Sequence, residues 1–333
     1  MTEKKTTIAV DAAGGDYAPQ EVVKGAIKAG EEYGINIALV GKKAILHVLA
    51  AHHLKKDWLT IVEANEVIEF NEHPMKAVIS KPDSSIVVGI SLVKQGLASA
   101  FVSAGHTGAV FGASLLILGK KEGIERPAIC AVLDITGSTP VVLIDVGANA
   151  DCKPPYLVQF AEMGAAFSQR VLGVRSPRVA LLNIGEEETK GNRLAQESYG
   201  LLKSSGLNFI GNVEGHDLPK RKADVIVTDG FTGNIVLKTI EGMGDTVQNL
   251  RELGHAGTKN VRGRALLRVV GMDSWARRMD YREYGGACLL GVNGNIIIAH
   301  GRSRASAIKT AIGLAKQTVE GSISEITEVE NNG

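Results

Sequence analysis

Seven residues, Thr228-Asp229-Gly230-Phe231-Thr232-Gly233-Asn234, constrain the fold of this chain more than any other stretch. They follow Ala223-Asp224-Val225-Ile226-Val227, a short apolar run of the kind a strand buried on both faces requires. Beyond them Ile235, Leu237 and Ile240 predict a helix that starts near Thr232. A strand, a tight glycine turn and a helix start together make an anion site. The first N–H groups of the helix lack partners, the helix end carries partial positive charge, and small residues let an oxyanion approach. A single turn of this kind is an ordinary strand-to-helix connection. Here the unit recurs at Ser103-Ala104-Gly105-His106-Thr107-Gly108-Ala109, at Val146-Gly147-Ala148-Asn149-Ala150-Asp151, and again after Ile184.

Taken in order, apolar runs at 7–11, 35–40, 59–63, 98–103, 127–133, 141–145, 178–184, 208–212, 223–227, 285–290 and 295–299 predict strands. Helical patterns from Gln20, over 44–51, 86–94, 110–118 and 154–171, and before Glu320 alternate with them. That alternation requires a largely parallel sheet covered by helices on both faces. Glycine numbers 39 of 333 residues and gathers at the ends of apolar runs, as βα turns require and a flexible linker does not. Neither G-x-G-x-x-G nor a G-x-x-x-x-G-K-[ST] loop occurs, so no dinucleotide or P-loop nucleotide site is expected. The acids Glu186-Glu187-Glu188 read as a solvated helix start. Lys190 stands just beyond the carboxyl end of a buried strand, where ligands bind in open α/β sheets.

A net charge of +1 offers no global attraction to nucleic acid. Cys130, Cys152 and Cys288 form no C-x-x-C pair, and the eight histidines are scattered, only His52-His53 being adjacent. A reduced cytoplasmic setting without a metal site is therefore expected. Cys130 and Cys288 lie in apolar runs and are expected as packing groups. No apolar run reaches the ~18–20 residues that span a bilayer, and residues 1–7 do not resemble a signal peptide.

The runs Ala9 to Asp16, Ser103 to Ala109, Asp145 to Asn149, Leu182-Asn183-Ile184-Gly185, Thr228 to Asn234 and Tyr284-Gly285-Gly286-Ala287 fall in a collinear order over about residues 6–320. In that order the chain resembles the bacterial phosphate acyltransferase (PlsX-type) family. The resemblance implies a three-layer α/β/α sandwich around one mixed sheet, like phosphate acetyltransferases and the isocitrate dehydrogenase-like superfamily. It implies residues 1–320 as one catalytic unit of two intertwined lobes, then an acidic tail at 321–333. The implied activity is transfer of a fatty acyl group from acyl-carrier protein to inorganic phosphate, without a cofactor. A homodimer peripherally associated with the inner face of the cell membrane is also implied.

Lys190 and Asn234 match the family's catalytic positions, with Gly105, His106, Thr107, Asn149, Asn192, Gly230, Thr232 and Gly233 as substrate-binding candidates. The family commonly has Asn at the place of His106 and a basic cluster where only Lys81 remains. Rival readings are a coenzyme A-dependent acyltransferase, a nicotinamide-dependent dehydrogenase and a non-catalytic scaffold for acyl-carrier protein.

A helical hairpin is expected to protrude at about residues 240–282, with Gly254, Gly257 and Gly263 separating two helical patterns. Between Arg251 and Arg282, eight basic residues stand against three acids, a local net charge of +5. Met272, Trp275, Ala276 and Met279 fall on one helical face. Arg262, Arg264, Leu266, Leu267 and Arg268 are the expected contacts to an anionic membrane or to acyl-carrier protein.

Overall fold

The computed structural model describes residues 5–133, 140–257 and 286–325, the side chains of 247–257 excepted. The chain opens with β1 (Thr7–Asp11), α1 (Gln20–Tyr33), β2 (Asn36–Gly41), α2 (Lys43–Leu49) and β3 (Leu59–Glu63). Then come α3 (Pro74–Ser80), α4 (Ser85–Lys94), β4 (Ala100–Ser103), α5 (Thr107–Ile117) and β5 (Ala128–Leu133). The middle of the chain holds β6 (Val141–Ile144), α6 (Pro154–Arg170), β7 (Val179–Asn183), α7 (Arg193–Lys203), β8 (Phe209–Glu214), β9 (Val225–Val227) and α8 (Gly230–Gly257). It closes with β10 (Ala287–Leu290), β11 (Asn295–Ile298) and α9 (Ala305–Glu320).

Two compact units result. Met1–Cys130 with Gly285–Gly333 makes the first, and Ala131–Tyr284 the second. In the first unit the strands run β3-β2-β1-β4-β11-β10. The first five pair in parallel, whereas β10 is antiparallel to β11, so the sheet is mixed. Ile8, Ala9 and Val10 of β1 are all buried, as are all four residues of β4, because helices cover both sides. The pairs α1–α9 and α4–α5 form those covers. In the second unit β6-β9-β7-β8 are parallel throughout. Here α6 lies directly on β6 and β9, and a Cβ at Gly164 would sit 2.7 Å from Val225 Cγ1 and 3.1 Å from Ile144 Cγ2. The expected α/β class, a mixed sheet with surrounding helices, is what the structure has.

The same device ends the first strand of each unit. Asp11 is fully buried and accepts the N–H groups of Ala13 (3.1 Å) and Gly14 (3.0 Å) and the Ser103 hydroxyl (2.7 Å). Burial pushes its carboxyl above the ordinary range despite hydrogen bonds from Ser85 and Ser103 that pull the other way. In the second unit Asp145 accepts the N–H groups of Gly147 (3.2 Å), Ala148 (3.1 Å) and Asn149 (2.7 Å). A carboxylate at a strand end thus folds the following glycine turn around itself, supplying an acceptor that a buried turn lacks.

Several sequence expectations are corrected. Glu186–Glu188 do not start a helix. They lie in a loop, and α7 begins only at Arg193, where Asn192 Oδ1 accepts the Ala195 N–H (2.9 Å) as an N-cap. The polar stretch before Ser85 contains a further helix, α3, with Pro74 in its first turn. Gly254, expected to separate helical patterns, lies inside α8. The hairpin candidates Arg262, Arg264, Leu266, Leu267 and Arg268 lie outside the described residues. Among the described residues no helix is long and apolar enough to cross a membrane. Cys130 and Cys288 are buried in β5 and β10, and burial pushes the Cys288 thiol up to about 12.

Histidine and acids do meet in one place that their sequence spacing had not suggested. Glu214, His216 and Asp217 bring ligand atoms within 4.8 Å of one another. Asp217 is already matched by Lys220 and Lys222, each 3.1 Å away, so ammonium groups stand where a cation would. Burial pushes the Asp217 carboxyl up, but hydrogen bonds from Lys222, Lys220 and the Glu214 N–H outweigh it and hold the pKa at about 2.

Candidate functional site

In the second unit three chain reversals meet at the carboxyl ends of β6, β9 and β7, which are neighbours in the sheet in that order. The first is the turn held by Asp145. Asn149, proposed from sequence as a substrate contact, is buried and donates its side-chain amide to Asp145 (2.9 Å). Its carbonyl accepts the Gly230 N–H at 2.7 Å, so Asn149 ties the first turn to the start of α8. The closeness is absolute at Gly233, where any Cβ would collide with the Asp145 carbonyl. Glycine in this motif is needed for backbone contact between two protein segments.

The second reversal is Thr228 to Asn234. Asp229 caps α8: its Oδ1 accepts the Thr232 N–H and its Oδ2 the Thr232 hydroxyl, both at 2.8 Å, and its carbonyl accepts the Gly233 N–H at 2.9 Å. The N–H groups of Gly230, Thr232 and Gly233 are therefore all spent within the protein. A carboxylate occupies the helix end that the sequence reading reserved for a phosphate, and it satisfies the macrodipole itself. In this turn the N–H groups of Asp229 and Phe231 lack a partner among the described residues, and Phe231 is 63% exposed. Asn234 is exposed, its side chain makes no hydrogen bond among the described residues, and it lies over Gly147, whose Cβ would sit 3.6 Å from Asn234 Cγ.

The third reversal carries Lys190. Asn183, at the end of β7, clamps it: Asn183 Nδ2 donates to the Lys190 carbonyl (3.1 Å) and Asn183 Oδ1 accepts the Ile184 N–H (2.8 Å). Gly191 follows with φ of +89°, a conformation an L side chain resists. The Lys190 side chain is exposed, and its stem passes Gly185. Two of the loop's three acids are matched by other cations. Glu188 pairs with Lys203 (2.7 Å) and accepts the Tyr199 hydroxyl, while Glu186 pairs with Lys222 (2.5 Å). Lys190 Nζ thus makes no ion pair among the described residues and remains available to an incoming anion. Asn183 and Asp229, absent from the sequence candidates, are the side chains that hold these two turns. Both sit at strand ends beside motif residues, which was the only signal available.

Cys152 borders this region, its thiol donating to the Asn149 carbonyl (3.4 Å). Burial first, then the charges of Asp145, Asp229 and Asp151, push its pKa up to about 12, so it is a thiol and a poor nucleophile.

The first unit holds the other motif. Gly105 donates its N–H to Ser103 Oγ (3.0 Å). His106 caps α5, its Nδ1 accepting the Gly108 N–H (3.1 Å) while Nε2 lies 3.2 Å from the Glu72 carbonyl. That pair of contacts fits the Nε2–H tautomer, and the ring stacks on Phe70. The His106 side chain is therefore engaged within the protein. The N–H groups of His106 and Thr107 have no partner among the described residues, and Thr107 is exposed at the helix start. Lys81 does not extend a basic surface here, since it pairs with Glu72 (2.6 Å) and donates to the Val67 carbonyl (2.7 Å).

Solved structures with this fold include the EutD phosphotransacetylase from Staphylococcus aureus, with a TM-score of 0.62 at 15% identity over 95% of this chain and 94% of that one. A phosphotransacetylase from Streptococcus pyogenes gives a TM-score of 0.61 at 21% identity, over 96% and 95% of the two chains. At such identities the likeness shows the fold alone. Sequence relatives are much nearer. A protein of Dehalococcoides mccartyi named phosphate acyltransferase is 56% identical over 96% of this chain and 92% of its own length. One of the same name from Dictyoglomus turgidum is 49% identical over 94% of each chain. The profile of the family described as "Fatty acid synthesis protein" matches residues 6–325. On this similarity, which spans all six of the glycine-turn motifs, the chain belongs to the phosphate acyltransferase (PlsX) family of fatty acid synthesis proteins.

Proposed function

We propose that this protein transfers a fatty acyl group from the thioester of acyl-carrier protein to inorganic phosphate, giving an acyl phosphate for glycerolipid synthesis. The observation that supports it best is Lys190, an exposed cation at a strand's carboxyl end, with two of the acids that precede it, Glu186 and Glu188, paired to other lysines. A phosphate oxygen attacks the thioester carbonyl carbon, the C–S bond breaks, and the proton of the attacking hydrogen phosphate ends on the departing thiol. The thioester is already activated, so the protein supplies position and charge rather than a covalent nucleophile.

In this reading Lys190 Nζ holds phosphate or the developing oxyanion, and Asn234 donates to the carbonyl or to phosphate. Since Asp229 fills the start of α8, phosphate is held by side chains and by the Phe231 N–H there, not by Gly230, Thr232 and Gly233. In the first unit, taken by itself, the N–H groups of His106 and Thr107 are likewise left without a partner among the described residues. Asn149, Asn192, Asn183 and Asp229 act as positioning residues. The chemistry requires no organic cofactor.

The dimer, the carrier-protein donor and a peripheral position on an anionic membrane belong to the same reading. They draw on what the sequence resemblance implies and on the basic stretch containing Arg262, Arg264 and Arg268. The test is phosphate-dependent loss of acyl-carrier-protein thioester by the purified protein, with acyl phosphate trapped as the hydroxamate. Turnover with coenzyme A thioesters alone would replace the donor. Absence of turnover with either, alongside binding of carrier protein, would leave a scaffold.

A further inference from the structure

Between the Lys190 loop and the start of α8 the second unit has a cavity of about 270 Å³ that opens to solvent. Its walls are Leu157, Leu181, Leu182, Ile184, Leu194 and Ala195, with Asn183, Asn192, Thr228, Asp229 and Thr232 at the rim and Gly191 between. Ile184 is 81% exposed, an apolar side chain standing in solvent at the end of β7, immediately after Asn183. The rim's polar atoms are largely spent. Both ends of the Asn183 amide, the Asn192 oxygen, both Asp229 oxygens and the Thr232 hydroxyl bond within the protein. Thr228 Oγ1 and the Asn192 amide nitrogen keep donor capacity.

We infer that this cavity takes the alkyl part of the acyl chain beyond its first few carbons and that Leu194 and Ala195 set the chain-length preference. This rests on the reading of the site given under Proposed function and names a part of the substrate it leaves open. An alkyl segment asks nothing of the rim, and one carbonyl at its head suits two remaining donors. A pantetheine arm, with two amides, would need acceptors that are already occupied. The volume is below the ~300–1,000 Å³ typical of pockets that enclose a whole drug-sized ligand. It fits a short segment, with the rest of a long chain continuing past Ile184. The position is chemically apt: a chain seated here brings its carbonyl carbon to the loop that presents Lys190.

The test compares butanoyl, octanoyl and hexadecanoyl thioesters of acyl-carrier protein as donors to the intact protein and to Ala195→Leu, which narrows the cavity. Each methylene excluded from an apolar site costs about fourfold in kcat/KM. Ala195→Leu is therefore expected to lower octanoyl and hexadecanoyl turnover at least about fourfold more than butanoyl turnover. Leu194→Ala, which widens the cavity, should shift the ratio the other way. Equal losses at all three lengths, or no shift in the ratio for either variant, would overturn the inference.

Calorimetric binding of octanoate to the same proteins keeps it testable if no donor is turned over. Binding weakened by Ala195→Leu would support the cavity while the acyltransferase reading fell. Equal binding by both proteins, or none, would refute the cavity.

Discussion

Substitution of Gly191 by alanine tests whether the Lys190 loop is built for its place. At φ of +89° an L residue is strained by roughly 1–2 kcal/mol. The new Cβ would also collide with Asn183 Oδ1 and come within 2.8 Å of Ala195 Cβ. Relieving that contact turns the Asn183 amide and gives up its bonds to the Lys190 carbonyl and the Ile184 N–H. At about 1 kcal/mol for each bond, the native loop position loses roughly 3–4 kcal/mol. The loop is exposed, so the cheaper outcome is a shifted loop within a folded protein.

A displacement near 1 Å can cost up to about 10²-fold in rate. The expected result is a 10- to 100-fold fall in kcat/KM with phosphate as acceptor, and a Tm lowered by only a few degrees. Coupling identifies the cause: Asn183→Ala removes the obstructing oxygen, so in the double variant the two losses should fall short of additive by more than about 0.5 kcal/mol. Wild-type turnover in Gly191→Ala, or strict additivity with Asn183→Ala, would refute the reasoning.

Lys190→Met keeps the stem beside Gly185 and removes the charge. It should lower kcat/KM at least about tenfold with an unchanged Tm, as should Asn234→Ala, in steady-state phosphate titrations. Normal turnover in both would sink their assignment. The Asp217 carboxyl is held at about 2 against an ordinary 3.8, so its contribution is complete above about 3.8 and is lost as pH falls towards 2. Asp217→Asn should therefore destabilise the protein at neutral pH and flatten the acid limb of a denaturant-midpoint profile over that window. Vesicle co-sedimentation should be salt-sensitive and should drop when Arg262, Arg264 and Arg268 become Glu, at about 1 kcal/mol for each basic residue engaged. Salt-insensitive binding would point to apolar insertion, and no binding to anionic vesicles at low salt would remove the membrane role.

Much of this protein is legible along the chain because its signals are local. β1 at Thr7–Asp11 and β3 at Leu59–Glu63 lie where the apolar runs place them, and α4 at Ser85–Lys94 answers to the helical pattern over 86–94. Buried parallel strands are short continuous apolar runs, and glycines mark where one strand ends and the next helix begins. The order of those turns, with Lys190 after one and Asn234 in another, sufficed to indicate the family.

What the sequence could not decide was how the turns spend their polar groups. Gly230, Thr232 and Gly233 look like phosphate-binding glycine-turn residues until Asp229 and Asn149 are seen taking their N–H groups. Asn192, a substrate-contact candidate, spends its side-chain oxygen on capping α7. Glu186 and Glu188 surround Lys190 in sequence, yet Lys222 and Lys203 draw them away. Hydrogen bonds and ion pairs are satisfied across space between segments tens of residues apart, so only the tertiary structure settles which donors and which cation are left for a substrate.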